Sequence, residues 1–180
     1  MAMTSYVALL RGINVGGKNK VPMAKLREVF ATLGHEDVVT YIQSGNVVFT
    51  STVKPVQAAR DIATSISAVF GLRVPVIVRT RAELAKVTTS NPYLKRGADA
   101  SKLHVTFLAD RPTAAAIKQL DPDRCPPDEF SVLGKEIFMF MPNGMGRTKL
   151  TIDYFEKRLG TQGTARNWNT VNKLLDLMPR

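Results

Sequence analysis

Gly12-Ile13-Asn14-Val15-Gly16-Gly17-Lys18 fits G-x-x-x-x-G-K, the pattern of a phosphate-cradling loop. In such a loop backbone N–H groups turn toward an anion, and nearby cations add charge. The stretch from Leu9 to Lys20 holds three glycines, two asparagines and the cations Arg11, Lys18 and Lys20. It follows the apolar run Tyr6 to Leu10 directly, as a loop leaving a strand would. Two departures separate it from a nucleotide-hydrolase loop. The residue after Lys18 should be Ser or Thr to ligate magnesium, and it is Asn19. The following helix is predicted to begin only at Pro22. What remains is a looser anion-binding nest, set against a plain connector whose glycines permit positive φ.

Asn143-Gly144-Met145-Gly146-Arg147-Thr148-Lys149 is a second glycine–cation loop, between a predicted strand and a predicted helix. It suits an anion at a helix N-terminus, or equally a helix start capped by Thr148 or Thr151. Arg166-Asn167-Trp168-Asn169-Thr170 sets hydrogen-bonding side chains in a row before the last helix. One of Asn167 and Asn169 suits a cap, Trp168 suits the core, and Arg166 is either functional or half of a charged pair. The ligand-binding residues expected are therefore Arg11, Asn14, Gly16, Gly17, Lys18, Lys149, Arg166 and Asn167, drawn from both halves into one composite anion site. Gln43-Ser44-Gly45-Asn46 offers polar groups too, but these are also the residues of a tight turn.

No residue is assigned a catalytic role. His35 follows a helix stop and His104 alternates with strand residues, so both read as structural or exposed. Cys125 lies beside Arg124 but between prolines and without a base. Asp121, Asp123, Asp128 and Glu129 lack the glycine and final glutamate of a calcium loop. No metal and no cofactor is expected.

The elements that would position these residues follow from periodicity. Tyr6 to Arg11 is a predicted strand. Pro22 to Leu33 is a helix with Met23, Leu26, Val29, Phe30 and Leu33 on one face, stopped by Gly34. Val38 to Ile42 and Asn46 to Thr50 form a hairpin. A helix from Pro55 to Gly71 and a strand from Val74 to Arg79 complete the first set. A short helix, Ala82 to Val87, and a polar stretch, 88–101, intervene. The order then returns: strand Lys102 to Ala109, helix Pro112 to Leu120, hairpin strands Asp128 to Leu133 and Glu136 to Met141, helix Leu150 to Leu159, strand Thr164 to Arg166. A helix from Trp168 to Met178 ends the chain. This is an α+β protein with two copies of a βαββαβ plan: a first unit over 1–87, a linker over 88–101 and a second unit over 102–180. Val7 to Leu10 and Val74 to Val78 are apolar on both faces, so the first sheet should be covered on both sides. That argues against an open RNA-reading sheet.

Three phrases carry a resemblance. Ala8 to Asn19 (ALLRGINVGGKN), Tyr41 to Phe49 (YIQSGNVVF) and Thr164 to Val171 (TARNWNTV) are similar to hallmarks of an uncharacterised bacterial family, the domain of unknown function 1697. The resemblance implies two tandem ferredoxin-like units with antiparallel sheets. It implies no activity and transfers no catalytic residue.

Size and charge bound the function classes. The 180 residues are enough for one large or two small domains. No apolar run is long enough to span a bilayer, and a single cysteine excludes a disulfide framework. A cytoplasmic protein without a membrane partner is expected. The net charge is +10, with 11 Lys/Arg against 5 Asp/Glu over residues 1–90 and 14 against 10 over 91–180. A basic balance favours anionic partners, whether nucleic acid or a phosphorylated small molecule. The leading reading is a binding module for such a ligand. An enzyme on a nucleotide-like substrate and an assembly protein stay open, as does oligomerisation. From Asn19 and the late helix start we expect no magnesium-dependent ATP or GTP turnover; turnover that disappears in Lys18→Ala would overturn this.

Overall fold

A computed structural model describes residues 2–180. In chain order the main elements are β1 (Thr4–Leu10), α1 (Met23–Thr32), β2 (Glu36–Tyr41), β3 (Asn46–Ser51), α2 (Pro55–Phe70), β4 (Val76–Thr80) and α3 (Arg81–Ser90), then α4 (Pro92–Lys95), β5 (Leu103–Leu108), α5 (Ala114–Ile117), β6 (Glu129–Leu133), β7 (Glu136–Phe140), α6 (Ile152–Leu159), β8 (Gly163–Asn167) and α7 (Trp168–Leu177). The strands among the described residues make two four-stranded antiparallel sheets, ordered β2-β3-β1-β4 and β6-β7-β5-β8. The protein is thus α+β. Its chain divides into two compact units, one formed by the chain up to Lys86 together with Lys173–Arg180, the other by Val87–Asn172.

Alternation along the strands builds the first core. Tyr6, Ala8 and Leu10 of β1 and Val47 and Phe49 of β3 join Leu26 and Phe30 of α1 and Ala58, Ile62 and Ile66 of α2. Each large side chain fully buried there contributes about 1.5–3 kcal/mol. Pro55 opens α2 at a position where no N–H is needed, and Gly71, at φ 66°, closes it. The other face of this sheet is buried too, through Val7, Leu9, Val48, Ile77 and Arg79. In the second unit Leu108, Ile137 and Met139 pack with Leu150, Phe155 and Leu159.

Several boundaries differ from expectation, three of them with a local cause. The predicted strand through Ile42 ends at Tyr41, because Ile42 takes φ 49° in the turn to β3. The helix foreseen over Pro112 to Leu120 contracts to Ala114–Ile117, with Thr113 accepting from the Ala116 N–H. Much of the polar stretch 88–101 is helical. α3 runs to Ser90, and Asn91 caps α4 through the Tyr93 N–H.

Gly45 fixes how closely the β2–β3 turn approaches β1. Its carbonyl accepts the Leu10 N–H at 2.8 Å, and a Cβ there would lie 2.7 Å from Leu10 Cβ with φ at +85°. Gly45→Ala should therefore cost roughly 2–4 kcal/mol. Gly16→Ala, with open space around it, should cost only the backbone share, about 1–2 kcal/mol. Urea unfolding of the two variants checks the contrast.

His35 is buried against Phe49, ring centroids 4.6 Å apart, with Nδ1 3.1 Å from Ser51 Oγ and Nε2 unpartnered. Burial holds its pKa below the usual histidine value, and the Asp61 charge only partly opposes this. A lowered folded-state pKa means that the unfolded chain takes up the proton first. The contribution is thus full above the ordinary value of 6.5 and is lost as pH falls below it. His35→Gln should flatten the fall in melting temperature between about pH 7 and 5 relative to the parent.

Candidate anion-binding site

The connection from β1 to α1 is held by its own asparagines. Five residues of it, Gly12, Asn14, Gly16, Gly17 and Asn19, have positive φ. Asn tolerates that region because its short amide can bond locally. Asn19 Nδ2 donates to the Gly12 carbonyl at 2.8 Å, and the Asn14 N–H donates to the Asn19 carbonyl at 3.0 Å. Gly16 and Gly17 form the tip of a tight turn in which the Lys18 N–H donates to the Val15 carbonyl at 2.9 Å. Ile13 is buried and anchors the loop to the core.

Asn14 ties this loop to two other segments. Its Oδ1 accepts the Val21 N–H at 2.8 Å. Its Nδ2 donates to the Val21 carbonyl at 3.0 Å and to the Gln43 carbonyl at 2.8 Å. The side-chain amide expected to meet a ligand is therefore used to shape the loop. The Arg11 N–H donates to the Pro75 carbonyl at 3.0 Å, which adds the segment leading into β4. Three connections thus meet at one end of the first sheet.

Between the β1–α1 connection, the start of α1 and Gln43 of the β2–β3 turn lies a cleft of about 420 Å³ lined by Asn14, Gly17, Lys20, Val21, Pro22, Met23 and Gln43. Pro22 caps α1 with no side-chain hydrogen bond, and the first turn of α1 holds no acidic residue. The positive end of the helix dipole faces no competing carboxylate of its own first turn. Lys18 and Lys20 are exposed and Arg11 is half-buried at the root of the loop. The lining offers donors and apolar surface, without a carboxylate, imidazole or thiol.

In the second unit the expected residues do structural work. Asn167 Oδ1 accepts the Thr170 N–H at 2.8 Å and caps α7. Arg166 is buried on β8 beside Val105 of β5, donating from Nη1 to Thr164 Oγ1 at 2.8 Å and to the Ala165 carbonyl at 2.7 Å. Burial pulls its pKa down to about 10. The Lys149 N–H donates to Cys125 Sγ at 3.3 Å, and its carbonyl accepts from Arg124 Nε at 2.9 Å. Thr151 caps α6 through the Tyr154 N–H. The loop carrying Lys149 leaves the same end of the second sheet as that at which Arg166 and Asn167 sit, since β7 ends opposite Leu103 and β8 ends opposite His104. Trp168 is buried, as expected of a core residue.

Gln43 and Lys20 line the cleft although neither was among the expected binding residues. Gln43 lay within a recognisable phrase, but its approach to Asn14, 29 positions away, leaves no mark in local sequence.

The chain belongs to the family described as protein of unknown function (DUF1697), whose model matches residues 3–138. That range contains the Asn14 loop and the Gln43 turn and stops before Lys149, Arg166 and Asn167. The conserved bacterial protein SP0830 from Streptococcus pneumoniae is similar in structure, with a TM-score of 0.77 and 25% identity over 98% of each chain. No curated protein matches the chain. No helix among the described residues is long and apolar enough to cross a membrane.

If Asn14 holds the loop, Asn14→Ala removes three hydrogen bonds and should cost about 2–3 kcal/mol. Hydrogen exchange at the Val21 amide should rise well beyond the change at core amides of β1; an unchanged Val21 amide would refute that role.

Proposed function

We propose that this protein is a binding module, built from two tandem ferredoxin-like units, that takes a phosphate-bearing anion at the Asn14 loop. The tandem reading is supported by the matching strand orders and by two local parallels. Arg79 and Arg166 occupy corresponding strand positions, beside Val7 and Val105, and both donate back to the preceding carbonyl. In both units the fourth strand runs directly into a helix.

The cleft at the start of α1 carries the functional reading. An anion seated there meets the first-turn N–H groups of α1 and the Lys20 ammonium, while Val21, Pro22 and Met23 offer apolar surface to the rest of the ligand. The absence of a general base from the lining favours binding over hydrolysis. Gly16 and Gly17 leave the tip of the loop without side chains, so a ligand can approach the backbone closely.

Pyrophosphate is the simplest probe. A ligand selective for the native state stabilises it by about 2.7 kcal/mol at a hundredfold excess over Kd, and a thermal-unfolding titration reads this as a rising Tm. The combined Lys18→Ala and Lys20→Ala variant should fold normally and lose most of that rise. A Tm unmoved by pyrophosphate, or moved equally in the variant, would contradict the proposal.

A further inference from the structure

We propose that the end of the first sheet bearing the Asn14 loop is a contact surface for the phosphate backbone of duplex nucleic acid, an inference that rests on the anion-binding reading above. The connections 11–22, 42–45 and 71–75 are drawn together there by three hydrogen bonds: Leu10 N–H to the Gly45 carbonyl, Arg11 N–H to the Pro75 carbonyl, and Asn14 Nδ2 to the Gln43 carbonyl. Together they carry Arg11, Lys18, Lys20 and Arg73 and not one Asp or Glu. Lys18, Lys20 and Arg73 are exposed. The opposite end of the same sheet is mixed in sign, with Glu36 and Asp37 at the start of β2 and Arg81 and Glu83 just beyond β4.

The distribution of these cations selects the partner. Arg11, Lys18 and Lys20 are spread along the β1–α1 connection and Arg73 stands on the connection into β4, and of the four only Lys20 lines the cleft. That arrangement suits a ligand with several spaced negative charges. Single strands are gripped largely by stacking bases on aromatic side chains. The exposed large apolar residues include Val15 and Ile42 but no aromatic; Tyr6, Phe30 and Phe49 are buried, and Tyr41 and Phe70, at the ends of β2 and α2, are half-buried, so no ring stands fully exposed for a base to stack on. The contact is therefore to phosphates, in a form indifferent to base sequence. The Gly16–Gly17 tip, with open space around both α-carbons, lets main chain approach a phosphate.

The test is fluorescence anisotropy with a mixed-sequence duplex and its single strand, at 50 and 200 mM KCl. Contact with about three phosphates weakens duplex binding roughly 40-fold across that range. Removing Lys18 and Lys20 together should lower the log–log salt slope by about two, and Arg73→Ala by about one. Lys118→Ala, at an exposed position in the second unit, should leave it unchanged. The inference is overturned if the duplex does not bind, if the single strand binds more tightly, or if Lys118→Ala weakens binding as much as the loop variants. Pyrophosphate binding without duplex binding defeats this inference alone; loss of both defeats the anion site as well.

Discussion

One carboxamide organises the end of the first unit. Asn14 accepts one backbone hydrogen bond and donates two, to Val21 in its own loop and to Gln43 in the β2–β3 turn. Neither a carboxylate nor an aliphatic side chain can do this, since the first lacks donors and the second lacks both functions. The left-handed backbone at Asn14 directs the amide back across the loop. With that clasp in place, Val21 is buried, Pro22 is set as the first cap of α1, and Lys20 is left on the rim of the cleft. The same clasp engages both polar atoms of the Asn14 amide, so the proposed recognition falls to its neighbours.

The remainder of the unit keeps that end rigid. Gly45 allows the turn to close onto Leu10, and Arg11 is fixed through its N–H to Pro75. Beneath them the sheet is buried on both faces. A loop with five left-handed residues would be mobile on a soft support; here Asn14 and Asn19 bond it across itself and to the β2–β3 turn, and Ile13 and Val21 sit in the core. The second unit uses related devices for a different result. Asn167 and Thr151 occupy their helix N-termini with their own side chains, which leaves those helix starts less open to an anion than the start of α1.

Much of the architecture was legible because burial imposes period. The stripes of α1 and α2, the continuous apolar run of β1 and the alternation in β5 announced their elements, and Gly34 and Gly71 marked helix ends. The β2 boundary was not legible, since nothing about Ile42 advertises a left-handed backbone. Helix α3 crossed into the polar stretch because its own periodicity is weak. The loop proposed to bind an anion was singled out by its glycines and cations. The hydrogen bonds by which Asn14 clasps Val21 and Gln43, and the arrival of Gln43 at the cleft, join residues separated in sequence. Arg166 was singled out for its charge, and its burial on a strand of a two-sided sheet is a tertiary fact.

The central claim is that an anion seats against the start of α1 beneath the Asn14 loop. Amide chemical-shift mapping of the isotope-labelled protein during pyrophosphate titration tests it most directly. The account predicts saturable shifts at Gly16, Gly17, Lys18 and the first-turn amides Met23, Ala24 and Lys25, with the loop of Lys149 silent. Shifts that are absent there, or that centre on 143–149 instead, would contradict it.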